Sequence, residues 1–319
     1  MKIVILDGYT ENPGDLSWAP LEALGELTVY DRTPADKIIE RIGDAEIVFT
    51  NKTPINAEAI AAGKNIKFIG VLATGYNVID IAAAKERGIP VCNVPGYSTP
   101  SVAQHVFALL LEITNHVGAH SDSVHAGKWA ANPDFCYWDY PMIELAGKTL
   151  GIIGYGSIGK AVAKIAVAFG MNVLANARHV DPSQETENIR YATREEVFAK
   201  SDIISFHCPL FPETQGMVNK DSIATMKDGV IIINTARGPI VVDEDVVAAV
   251  QSGKIAAYAA DVVSAEPIKP ENPLQGKENI VLTPHIAWAP KESRQRLMDI
   301  TVSNLRAFLN GAPQNVVNP

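Results

Sequence analysis

Three polar residues of different chemistry each follow an apolar run in the second half of the chain. They are Arg237 in Asn234-Thr235-Ala236-Arg237-Gly238-Pro239, Glu266 in Asp261-Val262-Val263-Ser264-Ala265-Glu266-Pro267, and His285 in Thr283-Pro284-His285. A planar guanidinium matches a carboxylate through two parallel hydrogen bonds. An imidazole titrates near neutrality and suits a proton donor. A carboxylate bonded to that ring favours its charged form and fixes its orientation. Reduction of a 2-oxo acid would need this set: a cation for the carboxylate and an acid for the carbonyl oxygen. Singly, each residue has a plainer role, as a capping arginine, a loop-surface glutamate or a satisfied core histidine. Jointly, at one sheet edge beside a dinucleotide motif, chemistry is the reading that accounts for all three.

That motif is Gly154-Tyr155-Gly156-Ser157-Ile158-Gly159, a G-x-G-x-x-G directly after the apolar run 149–153. Gly154 suits the tight turn, Gly156 a close backbone approach to a pyrophosphate, and Gly159 close packing of helix on strand. A helix follows, with Ile158, Val162, Ile165, Ala166 and Phe169 on one face. Its N-terminus offers N–H groups and a favourable dipole to an anion. The carboxylate that would hold a ribose 2′-hydroxyl, expected roughly 20 residues further on, is missing from its place. Ala177-Arg178 stands after the next strand instead. A small residue followed by arginine receives a 2′-phosphate, which favours NADP(H) over NAD(H); the alternative is that Arg178 is a solvated loop residue.

These groups must be carried by alternating strands and helices. Apolar runs at 3–6, 47–50, 66–73 and 89–93 form a first series, with helices expected at 34–43 and 78–87. A second series runs through 149–153, 172–176, 202–206, 230–234, 256–261 and 280–283. The runs are uninterrupted rather than alternating, as in parallel sheets covered on both faces. Between the series the pattern predicts one amphipathic helix over 101–125, with Val102, Val106, Leu109, Leu110 and Ile113 on its apolar face. Residues 129–145 are rich in aromatics and proline without clear period, which reads as a functional or interfacial segment. A final helix is expected over 293–309, ended by Asn310-Gly311.

With 319 residues, 47% hydrophobic and 20% charged, the chain suits a globular protein of about two domains. A formal net charge of −9 argues against nucleic acid or an anionic membrane as partner. No run approaches the ~18 consecutive apolar residues of a spanning helix, and the apolar start is too short for a secretory signal. Cys92, Cys136 and Cys208 are too few and scattered for a disulfide framework or a zinc site, so a reduced cytoplasm is expected.

The glycine loop, Asn234-Thr235-Ala236-Arg237-Gly238, Ala260-Asp261-Val262 with Glu266-Pro267, and Thr283-Pro284-His285 together resemble the D-isomer-specific 2-hydroxyacid dehydrogenase family, in order and spacing over nearly the whole chain. The resemblance implies two doubly wound α/β domains. A Rossmann dinucleotide-binding domain with a dimerisation arm would span 99–285, and a flavodoxin-like substrate domain would be discontinuous over 1–98 and 286–319. It implies that Arg237 binds and polarises substrate, that Glu266 pairs with His285, and that His285 donates the proton. Gly154, Gly156, Ser157, Ile158, Gly159, Ala177, Arg178, Thr235 and Ala236 would bind NAD(P), and Asp261 would lie near the nicotinamide amide or else cap a loop at its strand end. The loop Ala73-Thr74-Gly75 resembles the family's substrate-carboxylate loop, the alternative being a plain strand-to-helix turn. Asn51-Lys52 would reach substrate, or Lys52 is an ordinary exposed lysine.

The start, Ile5-Leu6-Asp7-Gly8-Tyr9-Thr10, and the segments 135–141 and 286–289, with Trp288 as a substrate contact, resemble the glycerate dehydrogenase (hydroxypyruvate reductase) branch. Trp138 and Trp288 could equally serve core or dimer packing. D-lactate or aryl-lactate dehydrogenases of the same family, and a non-catalytic dinucleotide sensor, are the competing readings. A formate-type enzyme is disfavoured by the carboxylate at Glu266. Expected partners are a small 2-oxo acid and a second copy of the chain, with no metal.

Overall fold

The computed structural model describes residues 1–319, which divide into two compact units: Met1–Ser98 with Trp288–Pro319, and Thr99–Ala287. No helix is long and apolar enough to cross a membrane.

In the first unit, β1 (Lys2–Ile5), β2 (Glu26–Val29), β3 (Ile47–Thr50), β4 (Phe68–Val71) and β5 (Val91–Cys92) form a five-stranded sheet in the order β2-β1-β3-β4-β5. Every pairing is parallel. This is the flavodoxin-like order, with a reversal beside β1. Strands β3 and β4 are buried along their whole length, which is why they read as unbroken apolar runs. The last helix, Lys291–Leu309, returns to this sheet and buries Leu297, Met298, Val302 and Leu305 among Ile3, Ile5, Phe49 and Phe68.

The second unit is a seven-stranded parallel sheet of β6 (Thr149–Ile153), β7 (Asn172–Asn176), β8 (Ile189–Tyr191), β9 (Ile203–Phe206), β10 (Val230–Asn234), β11 (Ile255–Ala260) and β12 (Ile280–Leu282). The order β12-β11-β10-β9-β6-β7-β8 is the doubly wound Rossmann arrangement extended by one strand, with its switch between β6 and β9. Register aligns the strand ends: Asn176, Ile153, Phe206, Asn234, Ala260 and Leu282 lie side by side in one row. Loops leaving these residues therefore share one edge.

Two strands, β2 and β8, have no apolar run to announce them. Both are edge strands with only half-buried side chains. The single helix expected over 101–125 is in fact two. Thr99–Asn115 buries Val102, Val106, Leu109, Leu110 and Ile113, whereas Val117–His125 buries nothing. His116 between them takes a left-handed backbone conformation with φ 48°, and the apolar stripe stops just before this break. The helix expected over 34–43 is a 3-10 turn, Ala35–Lys37, leading into the short helix Ile38–Ile42.

Candidate active site

The glycine loop leaves β6 at the switch point. Gly154 has φ +101°, and a Cβ there would lie 2.5 Å from the Cys208 backbone nitrogen. A Cβ on Gly159 would meet the Gly154 carbonyl oxygen at 2.3 Å, so helix Ser157–Ala168 packs on the strand only because that residue has no side chain. Gly156, by contrast, faces open space, with nothing within 4 Å of a built Cβ. Ser157 and Ile158 open the helix, so their amides stand at its N-terminus beside that space. Thr235 Oγ1, after β10, is buried with no partner in the chain. An open cradle at a helix N-terminus and an unpartnered buried hydroxyl on the same sheet edge fit a bound dinucleotide.

Beyond β7, Ala177 is half-buried, and the Arg178 guanidinium lies over the Phe211 ring, 5.1 Å from its centroid. His207, just after β9, holds Ser205 Oγ at 2.9 Å through Nε2. Burial pushes its pKa down to about 3, which favours the neutral imidazole. Burial likewise raises the Cys92 and Cys208 thiols to about 11, leaving them without thiolate character.

The polar trio sits further along the same edge. Arg237 follows β10 in a loop organised by Asn234, which is fully buried. Its Oδ1 accepts from Ala236 N at 3.0 Å and its Nδ2 donates to Arg237 O at 2.9 Å. Arg237 donates from Nη1 to Ala236 O at 2.7 Å and is otherwise exposed. Gly238 is forced by crowding, since a Cβ there would fall 1.8 Å from Val263 O. Glu266, six residues past β11, accepts from Val263 N at 3.2 Å through Oε1 and meets His285 Nδ1 at 2.6 Å through Oε2. Adjacent parallel strands thus bring Glu266 and His285 into contact although 19 residues separate them. His285 has φ +56°, a conformation rare for a residue with a side chain.

Asp261, 1% exposed, is fully engaged within the unit. It accepts from Thr283 Oγ1 at 2.6 Å and Ile286 N at 2.8 Å on Oδ1, and from Ala287 N at 2.8 Å on Oδ2. It therefore caps the loop that follows the neighbouring strand. These bonds also keep residues 286 and 287 with the second unit.

In the first unit, Asn51 is buried and Lys52 exposed after β3. Asp7, at the end of β1, accepts from the amides of Asn51, Lys52 and Thr53 at 2.6–2.7 Å, so this loop is built around a carboxylate of the chain itself. Ala73 is buried and Thr74 exposed after β4; Thr74 Oγ1 donates to Val94 O at 2.8 Å and Asn93 Nδ2 to Thr74 O at 2.7 Å. Trp288 packs edge-on against Tyr97, 6.4 Å between ring centroids, at the margin of this unit's core. Sequence reasoning gave Asp7 and Asn234 no role beyond their motifs and passed over His207. Each is a polar residue at the end of an apolar strand, and that position was the available signal.

A Rossmann edge carrying a glycine cradle, an arginine and a carboxylate-paired histidine defines a nicotinamide-dependent dehydrogenase. Comparison with known proteins gives the family. Residues 107–287 match the model of the D-isomer specific 2-hydroxyacid dehydrogenase, NAD binding domain. The chain is 61% identical to a hydroxypyruvate reductase of Blautia hydrogenotrophica, covering 100% of both chains. It is 41% identical to a glycerate dehydrogenase of Methylorubrum extorquens, covering 92% of each. A solved structure of a Thermus thermophilus protein superposes with a TM-score of 0.87 at 33% identity, over 99% of this chain and 100% of the other. The chain belongs to the D-isomer-specific 2-hydroxyacid dehydrogenases, and it transfers a hydride between a nicotinamide cofactor and a 2-oxo or 2-hydroxy acid.

Proposed function

We propose that this dehydrogenase reduces hydroxypyruvate and glyoxylate to D-glycerate and glycolate, with His285 as proton donor. The observation that carries the assignment is the 2.6 Å contact between His285 Nδ1 and Glu266 Oε2. With Nδ1–H held by a carboxylate, Nε2 is the nitrogen left to face substrate, and the ring remains 30% exposed. Glu266 stabilises the imidazolium, and Nε2 gives its proton to the carbonyl oxygen as that oxygen gains charge. Arg237, with its backbone fixed by Asn234, pairs with the substrate and polarises the carbonyl. The bound nicotinamide supplies the hydride.

Within the first unit, the Ala73-Thr74-Gly75 loop is the proposed carboxylate holder; the amides of Thr74 and Gly75 have no acceptor in the chain. The amides of Asn51 and Lys52 are taken by Asp7, so their side chains are what this loop offers a substrate hydroxyl or carboxylate. Trp288 is proposed as an apolar contact of the same substrate. The likeness to the hydroxypyruvate reductase of B. hydrogenotrophica supports the choice of 2-oxo acid.

The cofactor assignment is NADP(H) over NAD(H). It rests on the lack of an acidic residue after β7 and on Arg178, which follows that strand, lies over Phe211 and would receive a 2′-phosphate. Thr235, Ala236 and the glycine loop would hold the rest of the dinucleotide. The exposed aromatic segment, with Phe135 88% and Trp138 66% exposed, is proposed to pack against a second copy of the chain. The cytoplasm is the proposed location. Steady-state oxidation of NADPH and NADH with hydroxypyruvate tests the assignment: fast turnover supports it, and turnover only with another 2-oxo acid would refute the substrate.

A further inference from the structure

His105 stands on the helix Thr99–Asn115, 180 residues before the proton donor in sequence, yet it is tied to the segment that carries it. Its Nε2 lies 2.9 Å from Thr283 Oγ1 and 3.5 Å from Asp261 Oδ1. The Thr283 hydroxyl has one proton, and the 2.6 Å contact to a carboxylate oxygen uses it. Its oxygen must therefore accept from His105, which places a proton on Nε2.

The carboxylate at the centre is almost wholly removed from solvent. Burial pushes the Asp261 carboxyl up, but hydrogen bonds from His105, Thr283 and the amides of Ala287 and Ile286 outweigh it and hold the group below its usual range. The placement of these donors is informative. Thr283 precedes Pro284-His285, and Ile286 and Ala287 follow it; both flanks are fastened to one buried carboxylate. A further bond, His285 N to Thr283 O at 3.0 Å, tightens the turn. Between these anchors His285 is held at φ +56°, which an unrestrained histidine seldom adopts.

We propose that His105 is a positioning residue of the reaction: it completes the clamp of Thr283 and Asp261 that holds His285 in the backbone conformation from which Nδ1 meets Glu266 and Nε2 faces substrate. The proposal rests on His285 being the proton donor. The effect of His105 passes through Thr283 and Asp261, the groups its Nε2 meets.

The test is steady-state hydroxypyruvate reduction by His105→Ala, His105→Gln, Thr283→Val, Thr283→Ser and His285→Ala, with the dissociation constant of the reduced cofactor measured by fluorescence. Small misplacement of a reacting group costs up to about a hundredfold, so His105→Ala should lower kcat by about ten- to hundredfold with cofactor affinity within about twofold. His105→Gln, whose amide N–H can still donate to Thr283, should recover most of that loss. Thr283→Ser should likewise recover what Thr283→Val loses. A folded His105→Ala with wild-type kcat would overturn the proposal, as would a glutamine variant no better than alanine. Should His105→Ala not fold, the threonine pair decides, and equal rates for Val and Ser would overturn it. His285→Ala at wild-type rate would remove the proton-donor reading and the clamp together. An inactive His285→Ala beside an unimpaired His105→Ala would remove the clamp alone.

Discussion

Glu266 and His285 form a pair whose members lose most of their meaning when separated. Removing the imidazole would remove the proposed proton donor, and general acid catalysis typically contributes about 10²- to 10⁴-fold. His285→Ala should therefore lower kcat by about that factor while leaving cofactor affinity unchanged, a split that parallel kinetics and fluorescence titration would show. Glu266→Gln keeps the shape but not the charge that stabilises the imidazolium. Its kcat for reduction should fall with cofactor affinity unchanged; a wild-type kcat would show that the carboxylate charge plays no part. Arg237, Glu266 and His285 were legible in the sequence because each follows an apolar run, where open α/β sheets gather ligands. The partners of Asp261 were not. Thr283, Ile286 and Ala287 reach it through backbone amides and one hydroxyl, and His105 reaches it from a helix whose pattern speaks only of its buried face.

At the scale of the element, the glycine loop separates structure from binding. Gly159→Ala would drive a methyl into the Gly154 carbonyl at 2.3 Å, backbone that cannot step aside, so its melting temperature should fall by several degrees. Gly156→Ala meets nothing in the chain, so it should melt like wild type but bind cofactor at least about tenfold more weakly, because the methyl would enter the space proposed for a pyrophosphate. Equal melting temperatures and equal cofactor affinities for the two variants would contradict these roles. The β6 loop and its helix could be read because strand, turn and helix signals coincide there. The break at His116 could not: residues 117–125 continue a helical composition, and only the left-handed conformation of one residue divides the two helices. Edge strands β2 and β8 escaped for a related reason, since half-burial leaves no apolar run.

For the molecule as a whole, two properties follow from groups outside the proposed site. Glu11 is fully buried with neither carboxylate oxygen hydrogen-bonded, and burial pushes its pKa up to about 8, opposed only by Arg294. Arg294 in turn is bonded to Asp15 at 2.7 and 2.8 Å. The unfolded chain releases the Glu11 proton near 4.5, whereas the folded chain keeps it until about 8. Stability from this group is therefore full below about pH 4.5 and is lost as pH rises through 8. Wild type should melt at a lower temperature at pH 8.5 than at pH 5, and Glu11→Gln should flatten that slope; parallel slopes would contradict the burial argument. The exposed Phe135 and Trp138 should be covered by a second copy, so the mass in solution should be twice that of the chain, and a Trp138→Asp variant should shift towards monomer. A monomeric wild type would refute that assignment. The central claim is that His285, paired with Glu266, protonates a 2-oxo acid beside a nicotinamide. It is tested most directly by comparing the rate of NADPH oxidation with hydroxypyruvate for wild type and His285→Ala, with NADH in parallel. The account predicts fast turnover by wild type and a loss of about a hundredfold or more in the variant; equal rates for the two proteins would contradict it.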